Sequence, residues 1–224
     1  MNVKFIKSKK FLIIVVGIAI LLVIISIIFS KKSYETINIG NNNLNKTLEE
    51  VEDYILNIKE YTATIEVTVN SNKNSNKYLI KQNHKEKNDE QEVLEPDTIK
   101  GVKLIYKDSS LIVENSNLNL EKIYNNYPYI ESNILWLNSF IEEYRNSEQR
   151  NITEKNEEIV MQIKRKNDKK IATEELILDK KTLKPTKLSI MDNSKNVIVY
   201  ILYNEITFDS EDGKIISLFT SLSD

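Results

Sequence analysis

The chain contains no cysteine. That absence excludes disulfides, thiolate metal sites and cysteine nucleophiles together. It holds one histidine, His84, so a zinc site built on histidines is excluded, and a zinc site made of carboxylates alone would be unusual. The four glycines, Gly17, Gly40, Gly101 and Gly213, are too scattered to cradle a phosphate. Proline is equally scarce, at three residues. The surplus lies in Asn, Lys and Ile, a bias of AT-rich coding that carries no chemistry.

Long apolar runs are also scarce, with one exception. Phe11 to Phe29 is nineteen residues without a charge, interrupted only by Gly17 and Ser26. At about 1.5 Å per residue a helix of this length spans roughly the hydrocarbon layer of a bilayer. Inside that layer a single segment satisfies its backbone only as a helix. The exit, Ile27-Ile28-Phe29-Ser30-Lys31-Lys32, has no small-residue cleavage pattern. It also lacks a cysteine to acylate. An uncleaved signal-anchor is therefore expected at residues 11–29. Lys4, Lys7, Lys9 and Lys10 precede it and only Lys31 and Lys32 follow, which places residues 1–10 in the cytoplasm and the bulk outside. Residues 30–45, with Gly40–Asn43, read as a tether, and residues 46–224 as one extracytoplasmic domain. Without the four leading lysines, the 31 basic residues fall to 27 against 33 acidic ones, a formal charge of −6. A nucleic-acid binder would show a basic face instead.

Within the domain the hydrophobic period changes along the chain. Thr47 and Glu50 make a capping-box signal, and Leu48, Val51, Ile55 and Ile58 then share one helical face. From Tyr61 the period becomes two: Tyr61, Ala63, Ile65, Val67 and Val69 alternate with Thr62, Thr64, Glu66, Thr68 and Asn70. Ser71–Asn76 turns, and a return strand follows through Lys77–Lys87. Further strands are expected at Gln91–Glu95, Val102–Tyr106 and Leu111–Glu114. In the middle, Leu135, Trp136, Phe140 and Tyr144 recur at helical spacing, so a helix is expected over Asn133–Arg145, capped by Ser132. Later strands carry Ile159, Met161 and Ile163, then Leu176 and Leu178, then Leu188 and Ile190, with a turn at Lys180–Pro185. Val197–Tyr203 is apolar on both faces, which calls for cover on both sides. The sum is an α+β domain: eight to ten antiparallel strands in a curled sheet, an incomplete β-barrel, plugged by helices and preceded by one transmembrane helix.

Three stretches carry a family resemblance: "NIKEYTATIEVTV", "GVKLIYKDSSLIVEN" and "LILDKKTLKPTKLSIMDNSKNVIVYILYNEITF". The late hairpin Leu178-Asp179-Lys180-Lys181-Thr182-Leu183-Lys184-Pro185 is the most telling. Together they resemble the LolA/LolB-like lipoprotein-carrier superfamily, and within it the clostridial germination lipoprotein GerS family. The resemblance covers about Leu44 to Asp209 and departs from that family in lacking the acylated cysteine. It implies a LolA-like fold and a non-catalytic role in sporulation or germination. That role is as partner of a peptidoglycan (cortex) amidase of the CwlD type, a zinc enzyme that would bring its own metal.

The remaining chemistry is sparse. His84, in "KQNHKEK", sits among charged neighbours and reads as a solvated strand end. The carboxylate pairs Glu49/Glu50, Glu142/Glu143, Glu157/Glu158 and Glu174/Glu175 are no more than a chain with 33 acidic residues produces by chance. No catalytic, cofactor or metal residue is assigned. Tyr124, Tyr127, Tyr129 and Trp136 are the candidate partner-binding residues, since Tyr and Trp combine contact area with a polar handle. Core packing is the competing role, above all for Trp136. A membrane-tethered scaffold or activator is the leading expectation. A lipid- or lipoprotein-binding module of the LolA type is the alternative, and a sensor of envelope stress a third. Open sheet edges leave room for a homodimer.

Overall fold

Two β-meanders meet along a single seam to make one large sheet. The structure, a computed structural model, describes residues 36–39, 44–71, 73–85, 88–115, 117–127, 133–165 and 171–209. The expected membrane span at 11–29, Tyr129, Ser132 and the tail from Ser210 lie outside the described residues. Among the described residues no helix is long and apolar enough to cross a membrane.

The first meander runs β3 (Glu60–Asn70), β4 (Ser75–Lys85), β5 (Asn88–Glu95), β6 (Val102–Lys107), β7 (Ser110–Asn115) and β8 (Leu120–Tyr124). The second runs β9 (Arg150–Lys155), β10 (Glu158–Lys164), β11 (Thr173–Asp179), β12 (Pro185–Met191) and β13 (Val197–Asp209). Pairing of β3 with β13 joins them into an eleven-stranded antiparallel sheet, ordered β8-β7-β6-β5-β4-β3-β13-β12-β11-β10-β9. A sheet of this size curls, and register shifts at Leu79/Ile80, Ile177/Leu178, Ile190/Met191 and Tyr203/Glu205 interrupt its ladders. Among the described residues β8 and β9 remain as edges, so the sheet does not close into a barrel. Two further strands, β1 (Thr36–Ile39) and β2 (Leu44–Thr47), pair with each other in the stretch expected to be a plain tether.

Helix α1 (Leu48–Leu56) carries the full capping box: Glu50 N–H donates to Thr47 Oγ1 (3.2 Å) and Thr47 N–H to Glu50 Oε2 (2.7 Å). It stops at Asn57, whose side-chain amide donates to the Asp53 carbonyl (2.8 Å). Helix α2 (Leu137–Asn146) begins later than expected, because residues 134–136 turn before it. It lies in the connection from edge β8 to edge β9, and its described residues pack on the concave face.

Alternation in the central strands aims Tyr61, Ala63, Ile65 and Val67 of β3, and Val199, Ile201 and Tyr203 of β13, at that face. They pack with Val51 and Ile55 of α1, with Trp136, Leu137, Phe140, Ile141 and Tyr144 at α2, and with the inner residues of β10–β12 in one core. Each fully buried large side chain there contributes on the order of 1.5–3 kcal/mol relative to exposure. Two arginines tie the helices at their C-termini, where carbonyls lack partners. Arg145 donates to the Leu56 carbonyl of α1 (2.6 Å), and Arg150 donates to the Arg145 carbonyl of α2 (2.9 Å) while pairing with Glu52 (3.4 Å).

The late hairpin has a clear internal logic. Asp179 Oδ1 accepts from Lys181 N–H (3.1 Å), Thr182 N–H (2.7 Å) and the Thr182 hydroxyl (2.8 Å). This winds the turn so that Leu183, at φ 55°, drops its side chain into the core.

Candidate functional site

In an antiparallel sheet, residues directly opposite one another share a face. The register therefore draws two rows across β3–β8 on the concave side. One runs Tyr61–His84–Asp89–Tyr106–Leu111–Tyr124. The next runs Ala63–Gln82–Gln91–Leu104–Val113–Lys122.

The first row corrects the reading of His84 as a solvated strand end. Its charged neighbours Lys81 and Lys85 are exposed, but His84 lies on the same face as buried Gln82, and its ring is largely buried. Nδ1 of His84 bonds Asp89. The ring packs 5.1 Å from Tyr61 and 6.0 Å from Trp136. Beside it, Gln82 donates to the Leu135 carbonyl (3.0 Å).

The Tyr61 hydroxyl accepts from Leu137 N–H (3.0 Å), the first amide of α2, whose N-cap residue Trp136 supplies no side-chain cap. Burial pushes this hydroxyl well above the ordinary tyrosine range. Nearby Tyr203 and Asp89 push the same way, and the amides of Leu137 and Asn138 oppose them. Tyr203 is raised by burial alone. Tyr106 is raised chiefly by burial, opposed by a hydrogen bond from Asn133. These three tyrosines stay neutral at physiological pH.

The four aromatic residues singled out from the sequence divide accordingly. Trp136 is 1% exposed and belongs to the core with Tyr61 and His84. Tyr124 and Tyr127 come together at the far end of the row with ring centroids 6.4 Å apart, and Tyr127 also lies 6.4 Å from Tyr106. Tyr124 is 40% exposed and ends strand β8. Tyr129 is outside the described residues.

The opposite face of β5–β8 was not singled out from the sequence. One row there runs Glu90–Ile105–Ile112–Ile123, an isoleucine ladder ending at the open edge. The adjacent row runs Glu92–Lys103–Glu114–Glu121. Lys103 is committed inward, to Glu90 (3.1 Å) and Glu92 (3.7 Å), and the hydrogen bond it donates to Glu90 leads in raising its pKa. Glu114 and Glu121 face each other with no ion pair among the described residues. Apolar exposure gathers at the same place: Leu118 (64%), Leu120 (61%), Ile123 (52%) and Tyr124 are on or beside this edge, and Ile99 is exposed on the β5–β6 connection. Val197 is the only other large hydrophobic exposed among the described residues. Their signal in the sequence was weak, because a strand exposed on both faces shows no inside–outside alternation.

A family model described as "Sporulation protein YdcC-like" matches residues 9–214. The chain belongs to this family. No curated protein matches the YdcC-like chain. Solved structures do. An uncharacterized conserved protein from Thermus thermophilus aligns at 12% identity over 72% of this chain and 87% of its own, with a TM-score of 0.47. A chain from the structure of the CwlD amidase of Clostridioides difficile in complex with the GerS lipoprotein aligns at 19% identity over 73% and 91%, TM-score 0.41. A LolA superfamily protein from Nitrosomonas europaea aligns at 10% identity over 76% and 97%, TM-score 0.39. Both groups that the sequence resembles thus occur among its structural neighbours. Among the described residues of the YdcC-like chain, no group of three His, Asp or Glu side chains is arranged to hold a metal ion.

Proposed function

We propose that this YdcC-like protein is a non-catalytic scaffold or activator. In this reading Phe11–Phe29 holds it at the cell or forespore membrane, and its extracytoplasmic domain engages a cortex-modifying amidase during sporulation. The observation that carries the reading is the concentration of exposed apolar side chains on the open β8 edge, in a sporulation family. Contiguous apolar surface on an unpaired strand is costly to keep unless something covers it. Tethering would raise the local concentration of the amidase at the membrane, and contact would favour its active form. Tyr124 and Tyr127 stand at this edge as contact residues. The interior argues against the lipid-carrier alternative, since α1, Trp136 and α2 fill the concave face over the central strands with the domain's own side chains.

The test is co-purification of the full-length protein from sporulating cells, followed by amidase assays with and without it. A cell-wall amidase is expected in the complex, with higher activity when the protein is present. Recovery of bound acyl lipid and no amidase would overturn the reading.

A further inference from the structure

We infer that the outer face of the β8 edge accepts an extended partner strand in which an apolar residue and a lysine or arginine alternate. The inference deepens the proposed scaffold role by naming the docking surface and the chemistry of what docks, and it rests on that reading. Three observations converge on it. β8 is the outermost strand of the first meander, so among the described residues one side of its backbone has no neighbouring strand to pair with. The isoleucine ladder Ile105–Ile112–Ile123 runs to this edge and stops there, with Ile123 half in water. Beside it, Glu114 and Glu121 oppose one another across β7 and β8. Like charges directly opposite destabilise a strand pair. Of the two lysines in their row, Lys103 is bonded to Glu90 and Glu92, and Lys81 lies beyond Glu92 on β4.

Adding one antiparallel strand would resolve all three at once. Its backbone would pair the open edge, an apolar residue opposite Ile123 would extend the ladder, and a cation opposite Glu121 would complete the charged row. Strand addition of this kind takes affinity from the main chain and specificity from alternate side chains. The occupant is therefore an extended segment of another protein with the pattern apolar-x-basic. A second copy fits poorly. The antiparallel register that pairs all of Leu120–Tyr124 with itself sets Lys122 against Lys122.

The experiment uses the full chain in detergent micelles. The probes are two labelled synthetic peptides, one with the core Thr-Ile-Thr-Lys-Thr and one with Glu in place of Lys. Anisotropy reads affinity, and hydrogen exchange reads where protection falls. At low salt the lysine peptide is expected to bind about tenfold or more tighter, with new protection at β8. Glu121→Lys should reverse the preference, and Ile123→Thr should weaken both peptides. Both positions are exposed, and circular dichroism confirms that the variants fold. Equal binding of the two peptides, protection elsewhere, or an unchanged preference in Glu121→Lys overturns the inference. So does concentration-dependent protection of β8 without peptide, which would make a second copy the occupant. An amidase that co-purifies equally with wild type and Glu121→Lys, and resists competition by the lysine peptide, sinks this surface but not the scaffold role. Peptide selectivity at β8 without amidase in the complex does the reverse.

Discussion

Tyr61 does two jobs at one point: its ring packs against His84 and Trp136, and its hydroxyl receives the first amide of α2. Tyr61→Phe should keep the packing and orphan that buried N–H, at a cost of about 1–3 kcal/mol, seen as a lower urea midpoint. Trp136→Ala should cost more, about 3–5 kcal/mol, because an indole leaves a cavity that its neighbours only partly fill. The buried tyrosines also set an alkaline limit. Burial raises the pKa of Tyr61 and Tyr203 in the folded state, so each adds stability that is fully present below about pH 10, the unfolded value. That stability is lost as pH rises toward the folded values. Unfolding midpoints should therefore fall steeply above about pH 10, and Tyr61→Phe should flatten the fall. At this scale the sequence was readable where spacing spoke, as for Phe140 and Tyr144, which share the buried face of α2. It misled at His84, because charged sequence neighbours point the other way in a strand. The informative residue was Gln82, two positions back on the same face.

Elements with a strong local signal formed as expected. Thr47 and Glu50 cap α1, and Thr47→Ala should lower stability by about 1 kcal/mol, measurable as a shift in thermal midpoint. The late turn depends on Asp179, which satisfies three donors, so Asp179→Ala should lower the thermal midpoint and loosen the seat of Leu183. Limited proteolysis at Lys180–Lys184 would report it. Other elements left little trace in the residues. β8, with the sequence LEKIY, is exposed throughout and has no inner–outer alternation to betray it. β9, with RNITEK, buries no residue fully and is recognisable only through its partner β10. The start of α2 was misplaced because its cap is not local: the acceptor for Leu137 comes from Tyr61, far back in the chain. Capping rules that look within a few residues cannot see it.

At the scale of the whole molecule, stability and exposure lie in different parts of the sheet. Among the described residues, the central strands and the second meander hold most of the core, while β8 and the turn before it carry most of the exposed large hydrophobic side chains. Hydrogen exchange should follow suit, slowest at β3 and β13 and fastest at the edges β8 and β9. A uniform exchange profile would contradict this division. The curled antiparallel architecture and its helical filling were foreseeable from the change of period along the chain. The strand order was not, since no local pattern says that β3 lies beside β13 and not at an edge.

That adjacency has a consequence in time. Thr62 and Thr207 touch through their hydroxyls at 2.6 Å, yet stand 145 positions apart. Contacts so distant are made late and slowly during folding. While the ribosome is still working, the opening meander has no flank to lean on until β13 is made, so the seam between the two meanders can close only after that strand has left the ribosome.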